Sequence, residues 1–217
     1  MKADAPLESG GDRSFSDRLR QDLLTGNYRP GEWLKQADLE SNYGVNRFEV
    51  RIALSELTAR HLLDHFPNRG YRVANPTGRE REELYELRTL LETSAARTAA
   101  VRGTPADVDR FAQLVHRFDQ EVRAGNLPVL AQLNGQLHDS FYGMCGNSLL
   151  TTQIKELRER GIPGRSGTWD ALAGVQASNE DHLAMLDMLR RRDAEGLAYI
   201  VYRHLNRWRE FSKPSPE

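Results

Sequence analysis

One cysteine, Cys145, is the entire thiol complement of this 217-residue chain, so no internal disulfide holds the fold and a reducing compartment is expected. Long uncharged apolar runs are missing, as is a basic-then-apolar leader, which argues against a membrane span or a secretory signal and leaves a cytoplasmic location as the expectation. Excess charge is missing too. The 30 Lys+Arg stand against 31 Asp+Glu, so no global positive field draws the chain to polyanions, and any such attraction must come from local basic groups. No internal repeat and no low-complexity segment interrupts the chain. The polar ends, 1–12 and 213–217, read as frayed tails, and the remainder has room for two small domains, each able to bury a core.

What is there concentrates between residues 29 and 73. Leu39, Val45, Val50, Ala53, Leu54 and Leu57 recur at helical spacing on both sides of Gly44, which predicts two short amphipathic helices sharing one apolar side, a helix-turn-helix. Asn46 and Glu49 form a capping-box pattern, so the second helix starts after residue 46. Arg47 and Arg51, four apart, share its outward face in the first turns, where such helices touch base edges. Pro67, Asn68 and Gly70 lie between Phe66 and Tyr71-Arg72-Val73, predicting a two-stranded wing with Arg69 at its tip. A preceding helix over 14–25, with a stripe of Phe15, Leu19, Leu23 and Leu24 ended by Gly26-Asn27, buttresses the pair.

This module resembles the winged helix-turn-helix of the GntR family of bacterial regulators. The resemblance rests on P-G-E-x-L at 30–34, G-V-N-R at 44–47, V-R-x-A-L at 50–54 and P-N-R-G at 67–70, in order and at the expected spacing. It implies that Arg47, Arg51 and the Arg69-Gly70 tip meet an operator, and the DNA-facing set is taken as Lys35, Asn46, Arg47, Phe48, Arg51, Arg69 and Gly70. The chain departs from the usual pattern at Asn46 (commonly Ser or Thr), Glu49 (often Pro) and Ile52 (often Glu). Ala37 stands where some relatives carry a DNA-contacting Arg, with Lys35 as the substitute.

Beyond Asn75-Pro76-Thr77-Gly78, where proline forbids further strand pairing, the pattern is helical throughout. Six segments carry the period: 78–102, 104–124, 127–145, 147–160, 172–191 and 193–212. Thr104 and Asp193 cap two of them, and the short connections imply an antiparallel bundle. The longer Gly161–Gly174 stretch reads as a link that folds over a pocket. The expected fold is therefore mainly α, with a winged helix-turn-helix over 13–75 and an all-helical bundle over 76–212.

Polar residues inside apolar stripes mark the candidate site. Asn134 and His138, spaced i and i+4, fall among Leu130, Leu133, Leu137 and Phe141. His182 accompanies Leu183, Leu186 and Leu189, and His204 lies in the stripe of Leu197, Ile200, Val201, Leu205 and Trp208. A lone buried histidine is usually a hydrogen-bonded core residue, but three facing inward from three helices suit a divalent ion such as Zn²⁺ or Ni²⁺, with Asn134 as an oxygen donor. On the first bundle helix the stripe is read as Leu84, Leu87, Leu91 and Ala95, with Arg88 at its border and a plain i,i+4 salt bridge to Glu92 as its simplest role.

A second resemblance covers this half: N-x-x-x-H at 134–138, E-D-H at 180–182, H-L at 204–205, E-L-R-T-L-L-E at 86–92 and G-N-S-L-L at 146–150 are similar to the FCD effector domain. It implies that Asn134, where many relatives carry Asp, His138, His182 and His204 are metal ligands, and that Arg88 lines an effector pocket beside Tyr85. Gln153, Arg158 and Arg165 are lesser candidates. A guanidinium near a cation suits a small organic or sugar acid, one oxygen on each. The reading is a homodimeric, ligand-responsive repressor of transcription that binds double-stranded operator DNA and is not an enzyme. Its competitors are a metal-dependent hydrolase built on the histidines, although H-E-x-x-H is absent, and a helical interaction dimer without metal.

Overall fold

Ser14 accepts from the Asp17 amide and starts helix α1, Phe15–Thr25, which Gly26 ends. Its apolar stripe, Phe15, Leu19 and Leu23, packs on α3, Arg47–Ala59, which follows the short α2, Gln36–Tyr43. Gly44 joins α2 to α3 at φ 63°, a left-handed turn that costs glycine little. Val50, Ala53, Leu54 and Leu57 of α3 are buried against α1 and Leu39, closing a core that ends on Leu62, Leu63 and Val73. The structure, a computed structural model, describes residues 14–161, 172–207 and 209, excepting the side chains of residues 127, 128 and 172. The tails expected at 1–12 and 213–217, Trp208, Arg165 and most of the Gly161–Gly174 link lie outside the described residues.

The wing has one strand more than its sequence pattern suggests. β2, Leu63–Phe66, and β3, Gly70–Val73, pair antiparallel as expected, but β1, Trp33–Leu34, adds to the far edge of β3, giving the order β1-β3-β2. Two residues are too few to show a period of two, so the strand has no signature in the sequence.

Among the described residues, six helices follow: α4 Gly78–Arg102, α5 Pro105–Ala124, α6 Leu127–Gly143, α7 Ser148–Arg160, α8 Leu172–Arg191 and α9 Ala194–Asn206. Capping boxes Thr77/Glu80 and Thr104/Asp107 open α4 and α5, and the Asp193 side chain caps α9. α4 lies along α9, α5 packs on α6 and α8, and α7 packs on α4 around a second apolar core running from Tyr85 to Leu205. Ala95, Ala96, Ala99 and Ala100 are all buried on α4, and such small side chains let helices approach closely.

The stripe read for α4 needs correction. Leu87 is 44% exposed and Leu90 66% exposed, while Tyr85, Arg88 and Glu92 are buried with the alanines. The helix is rotated because Arg88 and Glu92 satisfy each other inside, Nε to Oε1 at 2.6 Å, which removes the penalty that would keep them out. Among the described residues no helix is long and apolar enough to cross a membrane.

Candidate functional site: a reading helix and a histidine cage

The capping box at the start of α3 is complete. Asn46 Oδ1 accepts from the amides of Phe48 and Glu49, both at 3.0 Å, and Glu49 Oε2 accepts from the Asn46 amide at 3.1 Å. Asn46 is thereby committed to holding the helix end, with only its Nδ2 left to offer outward. Arg47 and Arg51 are exposed opposite the buried face, and neither is paired with a carboxylate among the described residues. Lys35 is exposed at the start of α2.

At the wing, Gly70 sits at φ 98°, a backbone conformation that follows Asn68 at φ 61° and closes the turn between β2 and β3. Arg69 is exposed but held: its guanidinium stacks on Trp33 at 4.8 Å, and Arg72 lies 4.6 Å over Phe66. The added strand β1 thus supplies the ring that aims the wing arginine.

In the bundle the three predicted histidines meet. Ring centroids of His138, His182 and His204 are 5.0–5.2 Å apart, and one donor atom from each lies within 4.8 Å of the others. Asn134 is one turn before His138 on α6 and is buried with it. Among the described residues, Asn134 Oδ1, His138 Nδ1 and both ring nitrogens of His182 have no hydrogen-bond partner. Each such buried orphan costs about 1–3 kcal/mol, so these groups are poorly satisfied as core residues and well suited as a ligand set. Burial, aided by the neighbouring Arg158 and imidazoles, pushes His138 well below the ordinary histidine value. Burial and His204 do the same to His182, so both are neutral and available as ligands.

His204 is oriented from behind. Its Nδ1 faces Asp181 Oδ2 at 3.4 Å, which favours a proton on Nδ1 and turns Nε2 toward the other rings. Asp181 is fully buried and accepts from Arg203 Nε at 2.8 Å and Arg207 Nε at 2.6 Å. Burial alone would raise its carboxyl, but His204, Arg207 and Arg203 overcome that and hold it below the usual carboxylate range. The donor set of three imidazoles, an amide oxygen and a carboxylate behind one ring fits a divalent ion of the Zn²⁺ or Ni²⁺ kind.

Arg88 lies beside a second buried network. Its partner Glu92 also accepts from the Tyr142 hydroxyl, and Tyr142 stacks parallel to His138. Burial would depress the Arg88 guanidinium, yet Glu92 raises it, so the cation is firmly held. Tyr85 is buried beneath the Arg88 guanidinium at 4.6 Å and is not among the described residues that line the adjoining cavity. Gln153 is exposed and donates to Glu156.

That cavity, about 540 Å³, is bounded by α4, α6 and α7 and, unexpectedly, by α1. Arg88, Asn134 and Arg158 line it from the bundle, and Arg20, Gln21 and Leu24 from the reading head. Arg158 is half-buried under the Tyr142 ring and has no carboxylate partner among the described residues; burial pulls it below the usual guanidinium value while leaving it a cation. Arg20 crosses to the bundle and donates to Glu159 Oε1 at 2.7 Å. The Arg88–Glu92 pair was expected at i,i+4 and is present, whereas Asp181, the Tyr142–Glu92 hydrogen bond and the Arg20–Glu159 bridge were not singled out from the sequence. Of those three, Asp181 had a signal there, as the acid beside His182. The two buried carboxylates around the cage, Glu92 and Asp181, are both tied to arginines, so neither is placed as a general base for hydrolysis.

Comparison with known proteins gives one answer. Residues 83–207 match the FCD domain and residues 13–73 match the bacterial regulatory proteins of the gntR family. The Nta operon transcriptional regulator of Aminobacter aminovorans is 28% identical over 182 residues, 83% of this chain and 84% of that protein. The HTH-type transcriptional repressor GlaR of Escherichia coli K12 is 32% identical over 146 residues, 65% of this chain and 64% of that protein. E. coli McbR/YncC shares the fold with a TM-score of 0.81 at 22% identity, covering 91% of this chain and 97% of that one. A GntR regulator from Rhodococcus sp. RHA1 follows at 0.77 and 21% identity, covering 90% and 93%.

Proposed function

The chain belongs to the GntR family of DNA-binding transcriptional regulators and carries an FCD domain, and from that premise we propose that it is a homodimeric repressor released from its operator by a small carboxylate. The observation that carries the reading is the shared cavity, in which Arg158 and the Asn134 oxygen, both without a polar partner among the described residues, lie across from α1 of the reading head. A divalent ion in the cage of Asn134, His138, His182 and His204 would supply a Lewis-acidic seat for one carboxylate oxygen. Arg158 and Arg88 on the wall of the same cavity supply positive charge for the other. The orphaned nitrogens favour this over histidines that are merely packed.

Communication runs through α1. A ligand in the cavity touches Arg20 and Gln21 or disturbs the Arg20–Glu159 bridge, and α1 packs directly on the reading helix α3. A coupling of about 1–3 kcal/mol changes operator affinity by roughly 5- to 150-fold. The covalent linker at 75–78 is thus joined by a second route.

The dimer is supported by the misread face of α4. Leu87, Leu90 and Val101 on α4 and Tyr199 and Tyr202 on α9 are all exposed, and Arg97 and Glu195 bridge the two helices on that side. A second copy covering this face would hold two reading heads at a fixed spacing for a short palindrome. The repressor sign follows the GlaR relative, whose name is that of a repressor.

The test is fluorescence anisotropy of full-length protein on a duplex selected from a random pool, with Zn²⁺ and a carboxylate panel. Selected duplex binds more tightly than scrambled duplex, Arg47→Ala or Arg51→Ala costs about 1–3 kcal/mol, and at least one carboxylate weakens binding in a Zn²⁺-dependent manner. Equal binding of selected and scrambled duplexes at moderate salt overturns the DNA assignment. Indifference to every carboxylate with and without metal overturns the sensing assignment.

A further inference from the structure

The first two turns of α3 carry apolar surface that the fold does not use. Phe48 is 72% exposed and Ile52 is 43% exposed, four residues apart and so side by side. On a helical wheel they lie next to Arg47 and Arg51, and the four residues form one patch opposite the buried Val50, Ala53, Leu54 and Leu57. Further along the same helix the exposed residues are Ser55, Glu56 and the small Ala59, with no large apolar side chain among them. Water-exposed Phe and Ile are therefore confined to the part of the helix that the arginines bring nearest to a polyanion.

We propose that Phe48 and Ile52 are specificity-determining residues that pack on thymine methyl groups in the major groove. This rests on the assignment of α3 as the reading helix. The occupant is set by the neighbouring charge: Arg47 and Arg51 have no carboxylate partner among the described residues, and they match the acceptors of guanine and the flanking phosphates. On the major-groove edge of the four base pairs, the C5-methyl of thymine is the one apolar group, and Phe and Ile have no donor or acceptor for anything else displayed there. Glu49 could have accepted from cytosine, but its carboxylate is bound to the Asn46 amide in the cap. The same cap fixes the helix end, so the two side chains reach the groove from a rigid backbone. The expected half-site has guanine next to thymine, guanine read by an arginine and thymine by Phe48 or Ile52.

Replacing thymine by deoxyuridine deletes only the methyl group. Full-length protein is used to select a duplex from a random pool, and each thymine of the half-site is then changed to deoxyuridine, with affinities read by anisotropy at fixed salt. At one or two positions the loss of the methyl weakens binding about four-fold, the value of one buried methyl. Phe48→Ala or Ile52→Ala weakens binding to the thymine duplex to a similar extent and no longer distinguishes thymine from deoxyuridine at that position, with thermal melting unchanged because both side chains are exposed. The inference is overturned if no thymine is methyl-sensitive, or if the sensitivity persists in the Phe48→Ala/Ile52→Ala double variant. If the pool yields no preferred sequence at all, the DNA-reading assignment fails and this inference with it, which is a different result from specific binding that ignores the methyl.

Discussion

Replacing Asp181 by asparagine separates the two things this carboxylate does. It is fully buried, accepts from both Arg203 and Arg207, and faces the Nδ1 of His204. Removing one partner of a buried pair costs about 3–5 kcal/mol when the other is stranded. Here the arginine side chains remain 37% and 20% exposed, so they recover hydration and the cost falls to about 2–3 kcal/mol. For a chain of this size that is a loss of about 5–10 °C in melting temperature, read in the presence of a chelator. The second effect is on metal. Loss of the carboxylate behind His204 weakens Zn²⁺ binding by about 10- to 100-fold, read by competition with a chromophoric chelator. The amide of Asp181→Asn still offers an oxygen to His204 Nδ1, whereas Asp181→Leu offers none, so the leucine variant binds Zn²⁺ more weakly than the asparagine variant. If Asp181→Asn melts within about 1 °C of the parent, the buried charge network does not have the weight argued from its geometry. Should both variants bind Zn²⁺ like the parent, the orientation of His204 by Asp181 is wrong.

Three further outcomes are expected. Glu159→Gln or Arg20→Ala lowers stability by about 1 kcal/mol or less, leaves Zn²⁺ affinity unchanged, and reduces the ligand-induced change in operator affinity several-fold; an undiminished response refutes the α1 route. In metal-free protein His138 and His182 are held neutral by burial, whereas the unfolded chain takes up protons near pH 6.5. Their contribution to stability is therefore complete above that pH and is lost as pH falls, by at most about 1.4 kcal/mol per pH unit per ring, and urea midpoints that are flat between pH 7.5 and 5.5 refute it. In the proposed dimer, Leu90→Glu gives monomer in sedimentation velocity and weakens operator binding, while an unchanged dimer moves the interface elsewhere.

The sequence made the reading head legible because local signals agreed: Asn46 and Glu49 announced a helix start, and Pro67, Asn68 and Gly70 announced a turn. The histidines were legible because each sat in an apolar stripe with a clear period. α4 was misread because its inward face is partly polar, and a salt bridge between Arg88 and Glu92 makes that face as buriable as one of leucines. β1 was invisible at two residues long. Arg20 and Glu159 stand 139 positions apart, and no periodicity within either helix relates them. Arg158, only a lesser candidate in the sequence, gains its place on the cavity wall because α7 folds against Tyr142.

Because α1 is a wall of the cavity it shares with the bundle as well as a prop for the reading helix, the two halves of this protein are not interchangeable parts. A chimera that joined its first 75 residues to a foreign bundle would leave Arg20 facing a surface without its acceptor and would have to rebuild that wall. Drift in one half is therefore constrained by the other, and any engineered sensor made from this scaffold should carry α1 along with the bundle it reports on.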